Sequence, residues 1–273
     1  MSDGGTAAAA ANPGWDPAQY LRFADERLRP ALDLIARIQH PGPMRRVVDL
    51  GCGAGNALPV LAARFPGAEV IGVDGSAAML ARAAKAGFRV EQADIATWTP
   101  ADGPVDVIFS NAALHWLTGH ETLFPRLLGC LAPGGVLAVQ IPAMDDAPFR
   151  TLQYEVAARE GQPWTERLRG VRSAPPIPAP EAYYDLLAGR TAALDLWLTE
   201  YIHVLRGPDP IVQWAMGTSL RPFLDALDGP EGTDSPRSAF LAAYAEAVRP
   251  HYPPRADGAV LLPFRRLFIL ARV

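Results

Sequence analysis

The chain has 273 residues, enough for one large domain or two small ones, and its 49% hydrophobic and 20% charged residues suit a globular protein with a sizeable core. Lys plus Arg (25) against Asp plus Glu (29) gives a net charge of −4, which excludes a broad basic surface for nucleic acid. No apolar run approaches the roughly 20 residues of a membrane span, and the opening residues 1–11 lack both a basic segment and a long enough apolar stretch for secretion.

Residues 1–13 are rich in Ala and Gly and are expected to be a disordered tail. A helix is predicted over residues 17–39 from the spacing of Leu21, Leu28, Leu32 and Ile35, with Pro30 ending or kinking it. Short β-branched runs then alternate with alanine-rich stretches. Strands are predicted at residues 45–50, 69–73, 89–92, 105–110 and 136–140, and helices at 56–65, 77–86 and 121–131. This alternation predicts a parallel sheet with helices on both faces. Beyond Gln140 it stops: a helix near 149–160 leads into a proline-rich connection over 163–180. Two further strands, 193–205 and 259–273, bracket helical patterns near 211–216, 221–227 and 237–248. The expected organisation is one domain over 14–273, with a cofactor core at about 45–141 and a helical cap from about 146–190 and 207–257. The two cysteines, Cys52 and Cys130, are read as small buried hydrophobes, since two alone make neither a disulfide framework nor a zinc site.

The strongest local signal is VVDLGCGAG, Val47 to Gly55. A strand runs into Asp49 and then into Gly51, Gly53 and Gly55, which let the chain turn sharply and let a ligand approach bare backbone. A dinucleotide loop reads GxGxxG and seats a pyrophosphate. Here the spacing is GxGxG, and the carboxylate of Asp49 would repel a pyrophosphate but suit a cationic amino-acid group. The spacing favours S-adenosylmethionine over NAD. Asp74, closing VIGVD, is placed to accept hydrogen bonds from ribose hydroxyls, while Ser76 is the better cap for the following helix. Asp94 and Ile95, in QADIATW, follow the third strand, where the adenine edge is expected; a capping role fits Asp94 nearly as well. The fourth strand ends FSNAALHW, putting Asn111, His115 and Trp116 at the carboxyl end of the sheet, where cofactor and substrate meet. His115 is weighed evenly between substrate contact and structure.

This order of motifs resembles the class I S-adenosylmethionine-dependent methyltransferases over residues 45–140. More narrowly, the chain is similar to the trans-aconitate 2-methyltransferases, through WDPAQYLRFADERLRP, VVDLGCGAGN, GVDGSAAML, FSNAALHWL, LAPGGVLAVQIP, YYDLL, GTSLRPFL and LLPFRRLFILAR. The Ala-rich tail and the stretch around residues 175–180 depart from that pattern. The resemblance implies a Rossmann-like, seven-stranded, mostly parallel sheet with an N-terminal helix and a helical cap inserted before the last strand.

It also implies methyl transfer to one carboxylate of a small polycarboxylate, giving a monomethyl ester. A carboxylate is ionised near neutrality, so no catalytic base is required and His115 is assigned at most a positioning role. Arginine forks are the natural partners for the remaining carboxylates, with Arg27, Arg221 and Arg265 as the leading candidates and Arg29 and Arg266 behind them. Arg265 and Arg266 are adjacent on a strand, so at most one faces the site. Tyr20, Tyr183 and Trp214 are expected to complete the pocket with His115 and Trp116. The expected protein is cytoplasmic, a monomer or weak homo-oligomer, with no metal, nucleic acid or membrane partner. Open alternatives are another small acid, a malonyl thioester or a natural product as acceptor, a nicotinamide-dependent oxidoreductase, and a non-catalytic S-adenosylmethionine-binding regulator.

Overall fold

From Val47 onward every residue of strand β1 (Arg46–Leu50) is buried. A strand covered on both faces belongs at the centre of a parallel sheet, and β1 is placed there. It pairs in parallel with β2 (Glu69–Asp74) on one side and β4 (Val105–Asn111) on the other. β2 is parallel to β3 (Arg89–Gln92), and β4 to β5 (Leu131–Pro142). β7 (Val260–Arg272) runs antiparallel beside β5, and β6 (Ala193–Leu205) forms the edge. The resulting order is β3-β2-β1-β4-β5-β7-β6, seven strands. The order reverses between β1 and β4, and ligands of open α/β sheets lie beyond the carboxyl ends of the strands at such a point. At the opposite end, the buried Asp106 carboxylate accepts from the backbone N–H of Arg45 and Arg46 at 2.7 and 2.8 Å, fixing the start of β1 against β4.

The computed structural model describes residues 28–227 and 235–273. The predicted tail, and the part of the first predicted helix before residue 28, lie outside the described residues. The described part of that helix is α1 (Arg29–Arg37), with Pro30 near its start. The proline sits in the first turn, where a helix has no use for its missing N–H. α2 (Leu58–Arg64) and α3 (Ala77–Lys85) follow β1 and β2; the Ser76 hydroxyl caps α3 by accepting from Met79 N at 3.4 Å. α4 (His120–Gly129) follows β4. β5 is longer than its predicted 136–140, because Leu131 pairs with Val105 across an irregular register that absorbs the Pro133-Gly134-Gly135 sequence. That sequence reads locally as a turn; pairing with a neighbouring strand overrides it.

Two compact units divide the chain. The first holds the described part of 1–142 with 178–199 and 266–273, and so includes α7 (Pro180–Leu187). The second comprises 143–177 and the described part of 200–265. It contains α5 (Pro148–Ala157), the single turn α6 (Thr165–Leu168), α8 (Pro210–Met216), α9 (Arg221–Ala226) and α10 (Pro236–Val248). Its core is aromatic: the Phe240 ring meets Trp164 edge-on at 5.7 Å and stacks on Phe223 at 6.0 Å. Buried polar tips are tethered to backbone, Tyr244 Oη donating to Phe149 O at 2.6 Å and Trp164 Nε1 to Val156 O at 3.0 Å. Among the described residues no helix is long and apolar enough to cross a membrane.

Candidate active site

The loop leaving β1 is built by three glycines in the left-handed region, Gly51 (φ 81°), Gly53 (φ 54°) and Gly55 (φ 82°). They serve different purposes. A Cβ on Gly51 would lie 2.2 Å from Ala113 Cβ and 3.6 Å from Ile95 Cδ1, so the loops that follow β1, β3 and β4 converge there. A Cβ on Gly55 would lie 2.7 Å from Ala83 Cβ, where α3 packs against the loop. Gly53 has no atom within 4 Å of that position. Its missing side chain therefore leaves backbone open to a ligand and relieves no contact within the protein.

Asp49 lies in β1 and is almost fully buried. Burial, and then the neighbouring charge of Asp74, push its carboxyl up to about 8. No side-chain hydrogen bond relieves it among the described residues. A buried carboxyl without a donor is costly unless a cation arrives. Cys52 is half-buried beside the same acids; burial and their charges push its thiol up, so it stays a neutral wall of the loop. Asp74 accepts from Gly53 N through Oδ2 and from Ser76 N through Oδ1, both at 2.8 Å. It therefore braces the glycine loop as well as ending β2 beside it, leaving the remaining lone pairs of each oxygen for a ligand. Asp94 Oδ1 accepts from Ala96 N at 2.9 Å, so its side chain shapes its own loop.

At the end of β4, Asn111 Oδ1 is buried with no hydrogen-bond partner among the described residues. The next residue, Ala112, has a φ of 52°, unusual for a residue with a side chain. The turn then presents His115 and Trp116, whose rings lie 4.8 Å apart, with Trp116 about half exposed. Among the described residues the donor and acceptor set is thus one buried carboxyl, an amide oxygen without a partner, and bare glycine backbone. It fits S-adenosylmethionine, which brings an ammonium group and ribose and adenine donors, and it opposes a pyrophosphate.

The predicted substrate contacts fare unevenly. His115 and Trp116 lie on the turn that follows Asn111. Tyr183 is corrected: it is only 1% exposed and its hydroxyl lies 2.6 Å from His120 Nδ1, because α7 turns that face into the first unit. Trp214 packs within the second unit against His203 and Phe264, with ring centroids 4.5 and 6.0 Å away. Arg221 is a solvated helix charge, 76% exposed and 4.0 Å from Asp225 one turn on. Arg265 pairs with Asp146 on the surface of the second unit. Its neighbour Arg266 is the buried member of the pair, as strand alternation requires, with Nη1 3.5 Å from Gln140 Oε1. Tyr20 and Arg27 lie outside the described residues. Sequence reasoning passed over Gln140, fully buried beside Arg266; its one signal was a polar residue in an otherwise apolar strand.

Strand order, glycine loop and strand-end acids define a class I S-adenosylmethionine-dependent methyltransferase. In agreement, residues 47–135 match a family model described as a methyltransferase domain. The crystal structure of the YcgJ protein from Bacillus subtilis shares the fold, with a TM-score of 0.55 and 14% identity over 89% of this chain and 96% of that one. Much closer in sequence is the trans-aconitate 2-methyltransferase of Azoarcus sp. (strain BH72), 48% identical over 261 residues, which are 95% of this chain and 99% of that protein. The protein of the same name from Methylobacterium radiotolerans is 49% identical over 263 residues, 94% of this chain and 98% of its own length. The chain belongs to the trans-aconitate 2-methyltransferase family, and S-adenosylmethionine is its cofactor.

Proposed function

We propose that the protein transfers a methyl group to one carboxylate of trans-aconitate, forming the monomethyl ester. The observation that carries this reading is near-full-length identity of 48% with a protein named trans-aconitate 2-methyltransferase. When bound, S-adenosylmethionine supplies an electrophilic methyl group on a sulfonium.

The chain's own residues would do the rest. Asp49, in its ionised form, would pair with the ligand's ammonium group, and the charge it meets would offset its burial. Gly51, Gly53 and Gly55 would keep side chains away from the ligand's path. Asp74 would accept from ribose hydroxyls with the lone pairs that Gly53 and Ser76 leave free, Asp94 and Ile95 would border the adenine, and Asn111 Oδ1 would accept from the amino-acid end. His115 and Trp116 would shield and orient the acid. No proton has to move: the acid's carboxylate, with a pKa near 4, is already ionised at neutral pH. Alignment and exclusion of water then supply most of the rate. Arg266, rather than the surface-paired Arg265, is the arginine we assign to a second carboxylate. The same reading takes the protein to be cytoplasmic, a monomer or weak homo-oligomer, acting on a small acid.

The test is methyl transfer by the purified chain against a panel of di- and tricarboxylates, with products identified by mass spectrometry. Trans-aconitate is expected to give the highest kcat/KM and a single methyl ester. A better substrate that is not a carboxylic acid would overturn the reading.

A further inference from the structure

α4 touches both ligand-side loops of the first unit through polar side chains that the functional reading leaves unused. At its start, His120 is buried at 3% exposure, with Nε2 3.0 Å from Leu114 O and Nδ1 2.6 Å from Tyr183 Oη. A carbonyl oxygen only accepts, so Nε2 carries the proton. In the neutral ring Nδ1 is then a lone pair, and the Tyr183 hydroxyl donates to it. Leu114 O also receives Leu117 N at 3.0 Å, the bond that closes the turn bearing His115 and Trp116. That turn follows Ala112 at its positive φ, a conformation that persists only where the surroundings determine it.

Two turns along the same helix, the Arg126 guanidinium spans the other loop. Nη1 donates to Trp98 O, and Nη2 to Ala96 O at 2.6 Å, with Ile95 O at 3.5 Å. These carbonyls belong to the loop of Asp94 and Ile95. They cluster where one planar fork reaches them and a lysine's single ammonium does not.

We propose that α4 is a brace with two positioning residues serving two different ligands: His120, held by Tyr183, sets the Leu114–Trp116 turn, whose His115 and Trp116 meet the acid, and Arg126 sets the Asp94–Ile95 loop that meets the cofactor. The assignment of ligands to these loops rests on the function proposed above. A purely structural pair would weaken folding without separating the two ligands. This brace predicts a split.

The experiment uses the full chain and four variants, His120→Leu, His120→Gln, Arg126→Met and Arg126→Lys, with circular dichroism to verify folding. S-adenosylmethionine Kd is measured by calorimetry, and kcat and KM are measured with trans-aconitate. His120→Leu is expected to lower kcat/KM for the acid about tenfold at an unchanged cofactor Kd, the effect of one buried polar partner lost. His120→Gln is expected to recover most of it, since its amide both donates to Leu114 and accepts from Tyr183. Arg126→Met is expected to raise cofactor Kd about tenfold while kcat at saturating cofactor stays within about twofold, and Arg126→Lys to recover it only in part. Nitrogen-15 spectra of the wild-type imidazole should show a protonated Nε2 and an unprotonated Nδ1.

The brace is overturned if the leucine and methionine variants fold and match wild type, if both shift the same parameter, or if Nδ1 carries the proton. Should those two variants fail to fold, the glutamine and lysine variants and the spectra decide by the same criteria. Wild-type protein that binds S-adenosylmethionine but methylates no carboxylic acid would sink the proposed function instead; the Arg126 binding split and the tautomer would still report on the brace.

Discussion

Around Gly51–Gly55 the first unit buries a carboxyl to which no described side chain donates, whereas around Phe240 the second unit buries rings and ties Tyr244 and Trp164 to backbone carbonyls. In the glycine loop the informative property is charge and the absence of side chains. In the aromatic cluster it is volume. The two regions should therefore fail differently: substitutions in the second act first on folding, and substitutions in the first act on ligand binding before they act on folding.

The sharpest contrast comes from Phe240→Ala, which removes a fully buried ring at the centre of the second unit's core. It is expected to cost about 3–5 kcal/mol in chemical denaturation. A loss below about 1 kcal/mol would mean that this core is not packed as described. Within the loop itself, Gly51→Ala and Gly53→Ala separate folding from binding. The first forces a methyl against Ala113 at a left-handed φ and should cost about 3 kcal/mol. The second meets only the backbone strain, about 1 kcal/mol, yet should weaken S-adenosylmethionine binding because its methyl enters the ligand's space. Equal stabilities for the two variants, or unchanged affinity in Gly53→Ala, would break the distinction.

Asp49 supplies the pH test. Its folded pKa of about 8 lies above the ordinary carboxylate value of 3.8, so between these limits the native chain holds a proton that the unfolded chain has released. Its contribution to stability is therefore greatest at low pH and falls as pH rises toward 8. Asp49→Asn should flatten that part of the stability profile. Binding a cation favours the carboxylate, so titration of wild type at pH 7 in buffers of different ionisation enthalpy should reveal proton release on S-adenosylmethionine binding. Asp49→Asn should bind weakly and release none. Proton release retained in the variant would assign it to another group. The smallest effect is expected at Arg265→Met: its ion pair with Asp146 is largely exposed, and stability should change by less than about 1 kcal/mol.

Much of the first unit was legible because its signals are local. A strand buried on both faces reads as a continuous apolar run, so β1, β2 and β4 were found nearly to the residue; β6 coincides with its predicted 193–205. The glycine loop declared itself because only glycine adopts successive left-handed conformations cheaply. Pro30 is ambiguous in sequence because the same residue breaks a helix interior and suits a first turn, and the pattern alone does not say where the turn begins.

What sequence by itself determined was the parallel sheet, the glycine loop and the acids at successive strand ends, since each depends on residues within one strand and the turn after it. Alternation along β7 also showed that Arg265 and Arg266 must face opposite ways. Which of them is buried was decided by packing: Arg266 lies beside Gln140, 126 positions earlier, while Arg265 pairs with Asp146. In the same way, tertiary structure withdrew Tyr183 from the pocket and gave its hydroxyl to His120, 63 positions earlier, and it spread Arg126 over carbonyls about 30 positions away. A side chain's partner depends on which surfaces the fold brings within hydrogen-bonding distance, and that distance has no signature in local composition or periodicity.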